Sequence, residues 1–253
     1  MKKMIYVGAP VLNCVKFTKD YLKSIRSDKY DLYVNIIDNA SIDGTKDYLK
    51  QQMTTGSDMH ESVKHLHVVT NEEPNCCAGS WNQIIENSMV KLGGEYCLVT
   101  NNDIILHPKT IDNLVDFLEA SEEDIVLASA LNVRGALEKP WDILNYELDM
   151  ETPHSEHPDF ACYMINKKCV NVVGLFNEQF KPAYFEDNNY HDRILFRHLR
   201  AVSTPSAPYY HYGSVTQNQV ENGLVKGETF EKNRAMYNDI KMHLEELHGG
   251  KLT

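Results

Sequence analysis

With 253 residues, 24% of them charged, and a formal net charge of -11, the chain is long enough for one large α/β domain with a substantial core, or for two small ones. The acidic balance disfavours broad electrostatic binding to nucleic acid or an anionic membrane; a local basic groove stays open, but Lys and Arg form no long cluster. No run of about 18 apolar residues occurs and Met1-Lys2-Lys3-Met4 leads into a strand-like segment, so a soluble, cytoplasmic protein is expected.

Met4–Val11 (MIYVGAPV) reads as a first buried strand, and Pro10 near its end leaves Asn13 and Cys14 in a loop. A helix follows over Lys16–Arg26, with Phe17, Tyr21, Leu22 and Ile25 on one face. The second strand, Leu32–Asp38, runs into Asp38-Asn39-Ala40-Ser41-Ile42-Asp43-Gly44-Thr45, where Gly44 marks a turn before a helix over Thr45–Gln52. Thr54–Lys64 is polar and loop-like, His65–Thr70 is a third strand, and Asn71–Ala78 is a loop. Gly79–Lys91 then carries Trp81, Ile84, Ile85 and Met89 at helical spacing. The cysteines (Cys14, Cys76, Cys77, Cys97, Cys162 and Cys169) lack paired C-x-x-C spacing and mostly sit among apolar residues, the pattern of buried free thiols.

Tyr96–Thr100 is the strand around which the rest is arranged, because its apolar run stops abruptly at Asn101-Asn102-Asp103. A central strand of a parallel α/β sheet is apolar on both faces, and ligands collect at its C-terminal end. A hard divalent cation that arrives with a diphosphate needs few protein carboxylates, since phosphate oxygens and water complete its shell. Asp103 alone would suffice for such a metal. A helix cap or turn explains the same residues, because Pro108-Lys109-Thr110 soon opens the next helix.

That helix spans Thr110–Ala120 and a further buried strand spans Ile125–Leu131. Strand and helix alternate five times to this point, which implies a mostly parallel sheet with helices on both faces. No G-x-G-x-x-G or G-x-x-x-x-G-K-[ST] follows a strand, so the usual dinucleotide and P-loop readings have no support. Asn132–Asp159, with Pro140, Trp141, Tyr146 and Pro153, is a long irregular segment that reads equally as an acceptor-binding element or as an unordered insertion. Phe160–Ile165 is extended and Lys167–Val173 is a short helix. A second polar concentration, Tyr184-Phe185-Glu186-Asp187-Asn188-Asn189-Tyr190-His191-Asp192-Arg193, opens a helix through Leu199. The macrodipole favours acids in a first helical turn, so capping alone would account for Glu186 and Asp187. Ala201–Thr204 and Tyr209–Tyr212 are short extended pieces. The last helix, Gly227–Leu247, carries Phe230, Tyr237, Ile240 and Leu244 as a stripe expected to pack on the sheet.

Taken in order, acids after strand two (Asp38, Asp43), after the central strand (Asp103) and at a later helix start (Glu186, Asp187), followed by His211, resemble the family 2 glycosyltransferases of the GT-A fold, especially rhamnosyltransferase-like members. The resemblance spans roughly Ile5 to Ser214. It implies a single GT-A, Rossmann-like α/β domain: a nucleotide-sugar-binding half over 1–131, an acceptor-binding and catalytic half over 132–225, and a C-terminal helix over 226–253. Asp38 would bind the base in a pocket lined by Pro10, within the nucleotide edge that includes Asp43. Gly79 and Asn82 match the glycine and asparagine that precede the metal motif, near the ribose and diphosphate. Asn101-Asn102-Asp103 looks like the family's Asp-x-Asp motif with its first acid replaced and the metal-binding last acid kept. Glu186–Arg193 resembles the Glu-Asp-x-Asp-Leu-x-x-Arg run, with Asn189 and Tyr190 as departures. His211 with Gly213 and Ser214 looks like the late element that completes metal or diphosphate binding.

The implied chemistry is metal-dependent transfer of a sugar, with inversion, from a nucleotide-diphosphate sugar to an acceptor hydroxyl. Mn²⁺ or Mg²⁺ on Asp103 and His211 would offset the leaving group's charge, with Asp187 as base and Glu186 orienting the acceptor or sharing that role. A glycan or lipid-linked saccharide fits the family best as acceptor; a modified DNA base is disfavoured by the charge. Two other readings stay open: a nucleotidyltransferase, for which Gly8–Asn13 lacks the expected glycine-rich basic loop, and a sugar-nucleotide-binding protein that has lost turnover, which Asn101 and Asn189 leave possible.

Overall fold

Apolar residues on both faces of the first strands put them at the centre of a sheet, and the chain winds helices over each side. The computed structural model describes residues 2–213 and 226–248. In chain order it forms β1 (Met4–Val11), α1 (Val15–Ser24), β2 (Asp31–Asp38), α2 (Thr45–Thr55), β3 (Val63–Thr70), α3 (Cys77–Ile85), β4 (Tyr96–Thr100), β5 (Ile104–Leu106), α4 (Thr110–Ala120) and β6 (Ile125–Asn132). There follow β7 (Cys162–Asn166), α5 (Lys167–Val173), α6 (Glu186–Leu195), β8 (Arg200–His211) and α7 (Lys226–His248). The sheet order is β3-β2-β1-β4-β7-β6-β8-β5. β3, β2, β1 and β4 pair in parallel, as do β6 and β8, whereas β7 runs antiparallel between β4 and β6 and β5 runs antiparallel on β8. The expected single α/β domain with a mostly parallel sheet and a C-terminal helix is the observed one.

Alternation along β4 divides the core. Leu98 joins Val7, Leu22, Leu49 and Leu114 under α1, α2 and α4, while Cys97 and Val99 join Trp81, Ile84, Tyr163 and Tyr190 under α3, α5 and α6. All six cysteines are free, four of them buried. Among the described residues no helix is long and apolar enough to cross a membrane.

Several boundaries differ from those read in the sequence. The third strand starts at Val63, two residues early, because its edge position leaves it polar and half exposed. The helix expected from Gly79 starts at Cys77, with the Cys76 thiol accepting from the Gly79 amide, and its last stretch, Glu86–Lys91, is a π-helical turn. β5 is only three residues long, too short for a periodic signal. The two extended pieces before His211 are one strand, β8. Its register on β6 slips between Thr204 and Pro208, the irregularity that prolines without an N–H require inside a sheet. α6 stops at Leu195, short of Leu199, since His198 turns left-handed (φ 55°). Residues 132–159 are ordered: the short 3₁₀ turns Arg134–Ala136 and Pro140–Asn145 pack Val133 and Ile143 onto Ile105 and Tyr210. The α7 stripe packs on the loop before α6 and on α6 itself, not on the sheet, with Phe230 and Tyr237 against Phe185.

Candidate active site

Most site residues stand where an apolar strand ends or a helix begins; Asp43 lies in the loop after β2 and Asn82 within α3. Asp38, the last residue of β2, is fully buried; its Oδ1 accepts from the Ser41 amide (3.1 Å), and its Oδ2 is buried with no hydrogen-bond partner. A buried acceptor without a donor costs about 1–3 kcal/mol, so such an atom marks a place where a ligand donor would be welcome. Pro10 lies beside it across the β1–β2 register, opposite Ile37. Asp43 has a different environment. Its Oδ1 takes the Thr45 amide (2.9 Å) and its Oδ2 the Val15 amide (3.1 Å), while Asn13 Oδ1 takes the Ile42 amide (2.8 Å). Burial works against its charge, yet the hydrogen bonds from Thr45, Val15 and Cys14 hold the carboxyl below the usual range. Asp43 therefore ties the loop after β1 to the loop after β2.

Gly79 and Asn82 also act on the scaffold. A Cβ on Gly79 would lie 2.5 Å from Asn75 Oδ1, so only glycine lets the Asn75 side chain cross the first turn of α3. Asn82 is buried and its amide is fully engaged: Nδ2 donates to the Phe176 carbonyl (3.0 Å) and to Glu178 Oε1 (2.8 Å), and Oδ1 accepts from the Phe176 amide (2.8 Å).

Beyond β4, the antiparallel pairing of Ile104 with His211 sets Asp103 beside the histidine. Asp103 Oδ1 and His211 Nε2 are 3.2 Å apart, and the Tyr212 amide donates to the Asp103 carbonyl at 2.9 Å. Arg134 donates to the Tyr212 carbonyl, and Gly213 (φ +84°) gives its guanidinium room. Ser214 lies outside the described residues. Among the described residues no cluster of three or more His, Cys, Asp or Glu could hold a metal ion. One carboxylate with one imidazole is the donor set for a cation that brings further oxygen ligands with it, and the nitrogen favours Mn²⁺ over Mg²⁺.

The acid pair stands at the start of α6, presented by two consecutive left-handed residues, Tyr184 (φ 82°) and Phe185 (φ 72°). Phe185 makes no side-chain cap; in the first turn the Asp187 carboxylate takes the Asn188 amide. Glu186 is buried and its Oε2 has no hydrogen-bond partner. Burial, and then the neighbouring Asp187 charge, push its carboxyl up to about 7. Asp187 is half-buried, accepts from the Asn188 amide (2.8 Å), and is likewise raised by burial. The Cys77 thiol beside Glu186 is raised well above its normal range by burial and then by that carboxylate. These groups open onto one cavity of about 450 Å³, whose walls include Trp81, Asn101, Phe160, Glu186, Asp187 and Phe230. Asn101 at the end of β4 thus shares a cavity with the acid pair; Asp38, Asp43, Asp103 and His211 do not line it.

Most of the lining residues have no site role in the sequence reading, among them Asp159, Cys77 and Phe230. Asp159 is held by the Tyr209 hydroxyl and the Ala161 amide and is the one residue of the long 132–159 segment that reaches the cavity. Its only signal was an acid next to Phe160 where order resumes. In that reading Cys77 stands only among the free thiols, and Phe230 only as part of a helical stripe.

Comparison with known proteins places the fold. A galactofuranosyl glycosyltransferase of Leishmania donovani is 20% identical, over 92% of this chain and 58% of its own length. Among solved structures, the mannosyltransferase PcManGT from Pyrobaculum calidifontis, in complex with GDP-Man and Mn²⁺, superposes with a TM-score of 0.62 at 18% identity, over 83% of this chain and 57% of that one. TarS 1-349 of S. aureus in complex with UDP-GlcNAc gives 0.55 at 17%, over 83% and 58%. The chain thus spans somewhat over half the length of the proteins it matches, and these likenesses carry the GT-A fold. The family model for glycosyl transferase family 2 matches residues 6–172, well over half of the sequence, and the chain belongs to that family.

Proposed function

We propose that this protein is a metal-dependent, inverting glycosyltransferase that moves a sugar from a nucleoside-diphosphate sugar to a hydroxyl of a saccharide acceptor. The observation that carries the reading is the single cavity in which Asn101, at the end of the central strand, faces Glu186 and Asp187. A donor lying along the strand ends would reach it with its sugar, and an acceptor entering from the side of α6 would meet the sugar's opposite face.

The two carboxyls divide the work by environment. Asp187 is the more accessible, so it takes the proton from the acceptor hydroxyl as that oxygen bonds to the anomeric carbon and the bond to the diphosphate breaks. Glu186, buried and near neutral, orients the acceptor and raises the basicity of its neighbour when it ionises. Asp38 would take a base N–H on its unpartnered oxygen, with Pro10 against the ring. Asp43, Gly79 and Asn82 shape the loops and helix that flank the donor without offering it free polar atoms. Asp103 and His211 would hold Mn²⁺ or Mg²⁺, which when bound supplies Lewis-acid stabilisation of the diphosphate leaving group.

Aromatic walls from Trp81, Phe160, Tyr184 and Phe230 suit the apolar face of a sugar ring, and the net charge of -11 disfavours a nucleic acid as acceptor. The test is turnover of UDP-GlcNAc and GDP-mannose, measured as released nucleoside diphosphate with Mn²⁺ and after EDTA treatment. Asp187→Asn should lower turnover by about 10²-fold or more while nucleotide affinity survives. Undiminished turnover in EDTA would remove the metal from the scheme, and undiminished turnover in Asp187→Asn would remove the base. Donor binding without any turnover, whatever the acceptor offered, would favour a sugar-nucleotide-binding role.

A further inference from the structure

The left-handed pair Tyr184–Phe185 that presents the acids is gripped from outside by α7. Asn233, 1% exposed, donates through Nδ2 to the carbonyls of Ala183 (2.9 Å), Lys181 (3.3 Å) and Tyr184 (3.4 Å). On the other side of the same peptide stretch, the Tyr184 amide is directed at the Glu186 carboxylate. Phe230 and Tyr237 lie three residues before and four after Asn233, on one helix face, and both pack on Phe185, with ring centroids 4.9 and 5.4 Å away. A left-handed conformation is unfavourable for a residue with a Cβ and persists only where its surroundings hold it. Packing of the rings holds α7 against the loop; Asn233 fixes the direction of the Lys181, Ala183 and Tyr184 carbonyls, while the Cys77 amide takes that of Pro182 (2.9 Å).

Resting on the proposed role of the acid pair, we infer that Asn233 is a positioning residue: through its three carbonyl contacts it holds the 181–185 loop in the conformation that sets Glu186 and Asp187 in the cavity. The C-terminal helix is then part of the acceptor site, contributing Phe230 to its wall and Asn233 to its geometry. Loss of the clip would let the loop relax and admit water to Glu186.

The experiment compares Asn233→Ala with Tyr237→Phe in the full chain. The second variant removes a hydrogen bond from α7 to Asp192 (2.7 Å) but keeps the ring on Phe185, so it loosens the helix without touching the clip. Glu186 is followed by carboxyl ¹³C NMR, its signal assigned by its absence in Glu186→Gln, and turnover of UDP-GlcNAc and GDP-mannose is measured alongside. The groups facing Glu186 are Asp187 and Cys77, and those facing Asp187 are Asp159, His191, Cys77 and, from α7, the Tyr237 phenol. Burial and Asp192 push that phenol above its usual range, so it is neutral over the pH range followed and Tyr237→Phe removes no charge.

Asn233→Ala should lower the Glu186 titration midpoint by about one pH unit or more and reduce kcat about 10-fold, with KM for the donor within about two-fold. Tyr237→Phe should leave all three unchanged. An unmoved Glu186 titration in Asn233→Ala, or equal effects of the two variants, overturns the inference. Should the alanine variant not fold, Asn233→Ser is judged by the same titration. Asp187→Asn distinguishes the two levels: if it retains turnover, the role of the acid pair is wrong and the inference falls with it. If it is inactive while Asn233→Ala behaves as wild type, only the role of Asn233 falls.

Discussion

Glu186 and Asp187 are adjacent in sequence, yet the fold gives them different surroundings, and their chemistry differs for that reason. Glu186 has its carboxyl raised to about 7, chiefly by burial. A carboxyl raised in the folded state contributes stability that is fully present below its unfolded value, about 4.5, and is lost as pH rises through about 7. Wild type should therefore lose up to about 3 kcal/mol between those limits from this group alone, with Asp187 sharing in the titration. Glu186→Gln cannot ionise and should escape that loss. Urea unfolding at pH 5 and pH 8 checks it: the variant should match or trail wild type at the lower pH and exceed it at the higher. An identical pH dependence in both proteins would mean that Glu186 is solvated. His211 is paired with the Asp103 carboxylate, and a structural contact would look the same as half of a metal site. His211→Ala should weaken Mn²⁺ binding to the protein–UDP or protein–GDP complex about 10-fold or more, read by electron paramagnetic resonance, whereas a structural histidine would lower thermal stability and leave that binding intact.

Among the elements, those with a long apolar signal were the legible ones. β1, β2, β4 and β6 were all visible as runs that stop at polar residues, and the ends of β2 and β4 were already marked by Asp38 and Asn101-Asn102-Asp103. β5 and the bulged centre of β8 were not, because three residues carry no period and two prolines mimic a loop. A helical stripe announces one buried face without naming what covers it, so the docking of α7 on the 181–185 loop was beyond reach of the sequence, as was the role of Asp159. Gly8 illustrates a requirement set between elements. In the middle of β1 a Cβ would lie 2.3 Å from Ile84 Cγ2 of α3 and 2.9 Å from the Asn35 carbonyl of β2. Gly8→Ala should cost about 1–3 kcal/mol by overpacking, measured as a shift in the urea midpoint at unchanged slope. Adding Ile84→Ala should recover part of that loss relative to the sum of the single changes, since the two sites share one contact. Strict additivity would mean that the strain lies on the Asn35 carbonyl instead.

At the scale of the whole molecule, the proposed function assigns donor and acceptor to different parts of the chain. Asp38 stands at the end of β2, Asp103 and His211 at the β5–β8 edge, and the acid pair on α6 under the hold of α7. Ligand binding to one part should therefore be separable from chemistry in the other. A nucleotide that binds only the folded state stabilises it by about 2.7 kcal/mol at 100 times its dissociation constant, which for a domain of this length is a rise of about 5–10 °C in Tm. UDP or GDP with Mn²⁺ should produce such a rise in wild type, and the base that does so identifies the donor class. Asp38→Ala should abolish the rise whether or not Mn²⁺ is present, because the lost contact is to the base. Asp103→Ala should remove only the increment due to Mn²⁺, because that contact is to the cation. Asp187→Asn should keep the full rise while losing turnover. If Asp187→Asn instead lost the thermal response together with Asp38→Ala, the acid pair would belong to the donor site, and the division of labour between the strand ends and α6 would have to be redrawn.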